Sequence, residues 1–187
     1  LRARRPSDAL TPKAPAALLG RIAAYLAAHA PVHAGISVTN ARFIAVSVRL
    51  GVRFKSSGND DFYRAKLNEE LRRFLSPWAY EESSDIAIGG RIHANRIVDF
   101  VERRDYVDYV GRISLFTSEG DGPSRPVMSP GAAAENLHGY FVEPGVPEGV
   151  LVTAPLHQID VLSGSLYQNE DFTGIGYCKI ELDFAVG

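Results

Sequence analysis

The chain has 187 residues, of which 45% are apolar, 22% charged and 10% aromatic, a balance that excludes disordered, collagenous and coiled-coil classes. Twenty basic against 22 acidic residues leave a formal net charge of -2, so the chain carries no general electrostatic footprint for nucleic acid or an anionic membrane. Cys178 is the single cysteine, which rules out an intrachain disulfide and a thiolate metal cluster and fits a reducing compartment.

The charge is unevenly distributed. Residues 1–112 hold 18 basic and 12 acidic side chains (+6), and residues 113–187 hold 2 and 10 (-8). Such asymmetry either aligns neighbouring subunits or marks a solvated acidic part. The first residue is Leu1, and the opening Leu1-Arg2-Ala3-Arg4-Arg5-Pro6 reads like the interior of a longer polypeptide.

After a lead-in from Pro6 to Pro15, Leu18, Leu19, Ile22, Tyr25 and Leu26 recur at helical spacing and predict a helix over 16–30. Pro31 stops it, because proline lacks the amide hydrogen and clashes with the preceding turn. The stretch is too short and too polar, with Arg21 and His29, to span a membrane.

Between Arg42 and Lys55, Ile44, Val46, Val48, Leu50, Val52 and Phe54 alternate with Ala45, Ser47, Arg49, Gly51, Arg53 and Lys55. That period of two predicts a strand with one buried and one wet face. A turn over 56–60 then precedes the stripe Tyr63, Leu67, Leu71, Phe74 and Leu75, an amphipathic helix ended by Pro77. Its acidic start, Asp60 and Asp61, and basic end, Arg72 and Arg73, complement the helix dipole.

The run Ile86-Ala87-Ile88 predicts a short strand before Gly89-Gly90, and His93, Ile97, Phe100, Val101 and Arg104 predict a third helix. Tyr106 to Phe116 reads as an extended segment bulged near Gly111. The Gly-, Pro- and Ser-rich interval 117–130 predicts a long loop and a subdomain boundary. Strand-like runs follow at 151–154, 157–162 and 175–184. The expected fold is α+β: a two-layer core of a small sheet packed with amphipathic helices, plus a β-rich C-terminal extension. The expected divisions are 1–33 as linker and connecting helix, 34–116 as the α+β module and 117–187 as the acidic extension.

No constellation of catalytic type is legible. His29 and His33 are separated by Pro31, which breaks the helix that would align their rings, and His93, His138 and His157 lie outside any metal-ligand motif. Glu119-Gly120-Asp121-Gly122 lacks the ligand spacing of a calcium loop, and Gly89-Gly90 lacks the lysine of a phosphate loop. Ser163 and Ser165 flank Gly164 without a nucleophile elbow. Arg103 and Arg104 beside Tyr106 and Tyr109 are interleaved with Asp99, Glu102, Asp105 and Asp108, which oppose a polyanion.

The stretch Ala65-Lys66-Leu67-Asn68-Glu69-Glu70-Leu71-Arg72-Arg73-Phe74-Leu75-Ser76-Pro77-Trp78, followed by Ile86-Ala87-Ile88-Gly89-Gly90-Arg91-Ile92 and by the run from Ile97 to Val110, resembles the C-terminal region of baseplate J-like proteins over residues 34–116. The resemblance implies a structural, non-enzymatic subunit of the baseplate wedge in a contractile phage tail or related injection machine. It implies cytoplasmic assembly, contacts with other wedge subunits and another copy of a J-like protein, and no cofactor, metal, small-molecule substrate or membrane span. Arg49, Arg53, Trp78, Tyr106 and Tyr109 are the candidate protein contacts. The competing expectation is a small ligand-binding or enzymatic α+β domain, for which a focused pocket holding His138 or His157 beside an acid would speak.

Overall fold

The structure is a computed structural model and describes residues 10–31, 33–55, 58–81, 83–120, 122–127 and 139–162. The run expected over 175–184, together with His138, Ser163, Ser165 and Cys178, lies outside the described residues.

In chain order the elements are α1 (Ala16–His29), β1 (Arg42–Phe54), α2 (Asp60–Leu75), a 3-10 turn (Pro77–Ala79), β2 (Ile92–His93), α3 (Ala94–Glu102), β3 (Val107–Glu119), β4 (Arg125–Pro126), β5 (Phe141–Val142), β6 (Gly149–Thr153) and β7 (Gln158–Val161). The fold is α+β, with a mixed sheet, helices packed on it, and further strands toward the C-terminus.

β1 is the organising strand. It pairs antiparallel with β3 on one side, and on the other it pairs parallel with β6 along residues 42–46 and with β7 along residues 49–52. β4 continues the sheet beyond β3, while β2 and β5 form a separate two-stranded ribbon.

The alternation of β1 sorts as its sequence dictates. Ile44, Val46, Val48, Leu50, Val52 and Phe54 are all buried, in one cluster with Leu67, Leu71 and Leu75 of α2 and Ala94, Ile97 and Val101 of α3. Fully burying side chains of this size contributes about 1.5–3 kcal/mol each before chain entropy is counted. Helices therefore cover one face of the sheet, and the odd-numbered face of β1 carries Ser47, Arg49 and Arg53 outward.

Several boundaries differ from the expectation. Residues 117–130 do not form one long loop: β3 runs on to Glu119, Gly120 turns the chain at φ 56°, and Arg125–Pro126 pairs back against Phe116 and Thr117. The turn residues that looked like a loop are the ones a reversal between strands requires.

Ile86-Ala87-Ile88 is not a strand. Ile88 is 66% exposed, and the segment turns at Gly89 (φ 67°) before β2 begins. The third helix starts at Ala94 with His93 as its N-cap and stops at Glu102, so Arg104 lies beyond it. The bulge expected near Gly111 is present: Leu50 faces Ile113 while Val52 faces Val110, which leaves one extra residue on β3.

Candidate functional site

Among the described residues, the buried polar side chains are Asn68, Ser76, Thr153 and His157, and they form one connected network where β6 gives way to β7. The backbone requires it. Ala154 N–H reaches Val46 O at 2.9 Å as the last bond of the β6 register, and β7 pairing resumes at Arg49. Residues 155–157 bulge between, so the Val48 N–H has no strand carbonyl to meet.

His157 Nδ1 accepts that N–H at 3.2 Å. With Nδ1 an acceptor, Nε2 carries the proton and donates to Thr153 Oγ1 at 3.1 Å, and Thr153 Oγ1 donates to Ala154 O at 3.0 Å. Asn68, from the buried side of α2, donates to His157 O at 3.0 Å, and Ser76 Oγ accepts the Thr153 N–H at 2.8 Å. Burial and the nearby Arg72 guanidinium lower the His157 pKa to about 4, so the imidazole is neutral at physiological pH.

An open cavity of about 1070 Å³ lies above this network, lined among others by Asp61, Arg64, Asp160 and His157. It is the pocket in which the enzymatic expectation places its chemistry. Asp61, however, is paired with Arg64 at 2.9 Å and Asp160 with Arg49 at 3.2 Å, while His157 is 3% exposed with both ring nitrogens engaged. A general base needs a nitrogen free to reach the substrate proton. The arrangement instead anchors the sheet. Among the described residues, no group of three or more His, Cys, Asp or Glu is placed to hold a metal ion.

The five candidate contacts separate into three places. Arg49, Arg53 and Tyr109 share the outer face of the sheet, with Arg53 opposite Tyr109 in register and its guanidinium 4.6 Å from the ring centroid. Arg53 Nε donates to Asp108 at 2.6 Å, and Arg49 is half-exposed beside Asp160. Tyr106 joins Phe54 and Tyr63 at the other end of the core, stacked on Tyr63 at 5.1 Å. Its hydroxyl donates to Glu70 at 2.9 Å, and burial, then that bond, raise its pKa. Trp78 sits in the 3-10 turn after α2, half-buried, its indole N–H without a partner among the described residues.

The two unlike parts of the chain meet in ion pairs. Arg42 with Glu119, Arg49 with Asp160 and Arg91 with Glu143 each join a basic residue of 1–112 to an acidic residue of 113–187. Part of the charge asymmetry is thus neutralised inside the chain. Arg104 is engaged within the basic part, with Glu70 at 3.5 Å, Phe100 O at 3.1 Å and the Phe100 ring at 4.2 Å. Sequence reasoning missed the network around His157. A signal for it was Asn68, a polar residue on the apolar side of α2 next to Leu67 and Leu71.

What the described residues define is an α+β module in which the buried side chains of Asn68, Ser76, Thr153 and His157 are engaged in closing its own sheet. The family described as "Baseplate protein PVC11-like" matches residues 2–125, and the chain belongs to it. Among solved structures, the chain is similar to one in the cryo-EM structure of the anti-feeding prophage (AFP) baseplate, 6-fold symmetrised, at 18% identity and a TM-score of 0.51. The match covers 79% of this chain and 26% of that one, so the chain spans about a quarter of the length of the protein it resembles. No curated protein matches its sequence. The family is a baseplate family, as the sequence resemblance implied, but it is the PVC11-like one and not specifically the J-like one.

Proposed function

We propose that this chain is a structural, non-enzymatic module of the baseplate wedge in a contractile injection machine, holding neighbouring wedge subunits in register through its surface. The observation that carries the reading is the family match over residues 2–125, which includes β1, α2, α3 and β3, the elements that supply most of the core. The site geometry supports it: among the described residues, the one deeply buried histidine is spent on a backbone bond. In this reading, wedge proteins of J-like type are the partners, and the protein works in particles assembled in the cytoplasm.

The outer sheet face is a fitting contact surface because its side chains are ordered by cross-strand pairs before any partner arrives. Polar groups held in place lose little freedom on docking, and their charge pattern selects which neighbour fits. The experiment is crosslinking followed by mass spectrometry on gently isolated particles. Reproducible links from this chain to other wedge subunits are expected. Its recovery only as free monomer, absent from every particle fraction, overturns the reading.

A further inference from the structure

Helix α1 is anomalous. Its 14 residues include none that is buried, although it is apolar nearly all round. Leu18, Ile22, Tyr25 and Leu26 form one stripe and are 42%, 39%, 65% and 41% exposed. The opposite side is built of Ala16, Gly20, Ala23, Ala24 and Ala27, small residues that admit close approach. A helix of this length is marginal in water on its own, and one apolar on every side belongs in an interior. At about 21 Å it is too short to cross a bilayer, and with Arg21 as its one cation it lacks the basic face of a helix that lies on a membrane.

Its base is fixed. Ala14 N–H donates to Asn40 Oδ1 at 2.8 Å, and Asn40 Nδ2 donates to Ala14 O at 3.1 Å, so the helix is tied to the chain that leads into β1. Residues 9–59 contain six basic side chains and no acidic one.

Two features choose the occupant. Packing α1 against α1 of a second copy covers a strip on the order of 200 Å² per side, from a length of about 21 Å and a width of about 10 Å, against about 800 Å² per partner in a stable interface. An antiparallel pair would also bring two Arg21 side chains together near mid-helix, with no carboxylate in residues 9–59 to neutralise them. A concave surface that encloses both the large-residue stripe and the alanine side covers about twice that strip and brings no second Arg21 to the contact.

Building on the wedge reading above, we infer that α1 is clasped by an apolar groove on a different baseplate subunit, one that presents a carboxylate to Arg21. The test places a photoreactive benzoyl group at the most exposed stripe position, Tyr25→p-benzoylphenylalanine, in the protein within assembled particles. The expected adduct is on another kind of subunit, in a peptide that combines apolar residues with Asp or Glu. An adduct on a second copy of this chain, on its own residues or on lipid, or no adduct in particles that contain the chain, overturns the inference and leaves the wedge reading standing. Absence of the chain from particles overturns both.

A second arm uses Ile22→Ser with Leu26→Ser. Particle occupancy is expected to fall about tenfold or more, while the unfolding temperature of the isolated protein moves little because neither side chain is buried. Arg21→Glu is expected to lower occupancy and Arg21→Lys to retain it. Full occupancy with Arg21→Glu removes the carboxylate from the inferred groove.

Discussion

The ring of His157 replaces a strand carbonyl for Val48. Its Nδ1 lies 3.2 Å from the Val48 nitrogen, midway between the segment of β1 paired with β6 and the segment paired with β7. An unmet buried N–H costs about 1–3 kcal/mol, so a polar side chain at this gap keeps the two short parallel strands acting as one. The protonated imidazole cannot play that part, because both its nitrogens donate.

Stability should therefore depend on pH in a defined window. The His157 pKa is about 4 in the native chain and about 6.5 unfolded. Between these values the unfolded state binds a proton that the native state refuses. The contribution is fully present above pH 6.5, declines as pH falls, and is gone below about pH 4, for a total of about 3 kcal/mol. Urea titrations at a series of pH values from 7 to 4 measure it. His157→Gln, which keeps an acceptor but cannot titrate, should flatten that slope; a slope unchanged in the variant would place the titrating group elsewhere.

The packing of β1 on α2 gives a second expectation. Leu71 is fully buried in the cluster that holds Val46 and Val48, so Leu71→Ala should cost about 2–5 kcal/mol in denaturant unfolding. Leu18→Ala, on the exposed stripe of α1, should change the same transition in the isolated protein by less than about 0.5 kcal/mol. Equal effects would mean that α1 belongs to the folded core of the isolated chain.

What was legible in the sequence follows from range of interaction. The burial of every even residue from Ile44 to Phe54 and the helix under it needed only local periodicity, and the bulge at Gly111 needed only a glycine interrupting a strand. Ile86 to Ile88 misled because an apolar run is a strand only where a neighbour pairs with it, and none does among the described residues. The candidate surface was half visible for the same reason. Arg49 and Arg53 could be assigned to the wet face, but their partners Asp160 and Asp108 lie 111 and 55 residues away, so no local pattern announced them. The role of His157 was hidden because it depends on the register of two strands that sequence alone does not set.

Glycine substitutions should have opposite signs at two positions. At Gly149 an added Cβ would overlap the Pro144 ring and sit 3.0 Å from Val146 O, in a turn whose backbone also receives the Gly89 N–H. Gly149→Ala is expected to destabilise by about 1–3 kcal/mol or more. At Gly20 nothing lies within 4 Å, and alanine is the better helix former by about 1 kcal/mol, so Gly20→Ala should increase far-UV helical signal. Loss of helix with Gly20→Ala would show that the small-residue side is already covered in the isolated protein.

Leu162 offers the sharpest check on the sheet's outer face. Its side chain lies across two adjacent strands, where a Cβ at Gly51 would be 3.2 Å and one at Gly111 2.9 Å from Leu162 Cδ1. The obstacle is the tip of a flexible side chain, so Gly111→Ala should cost only about 1–2 kcal/mol as Leu162 shifts from its place over the bulge. In a Leu162→Ala background the same substitution should cost less, because the space is already open. The two changes should thus couple by about 0.5 kcal/mol or more, with the double variant more stable than the sum of the singles predicts. Strict additivity in a double-mutant cycle would place Leu162 away from Gly111, and with it the chain just past β7, where the Leu162 N–H bonds to Val52 O at 2.9 Å.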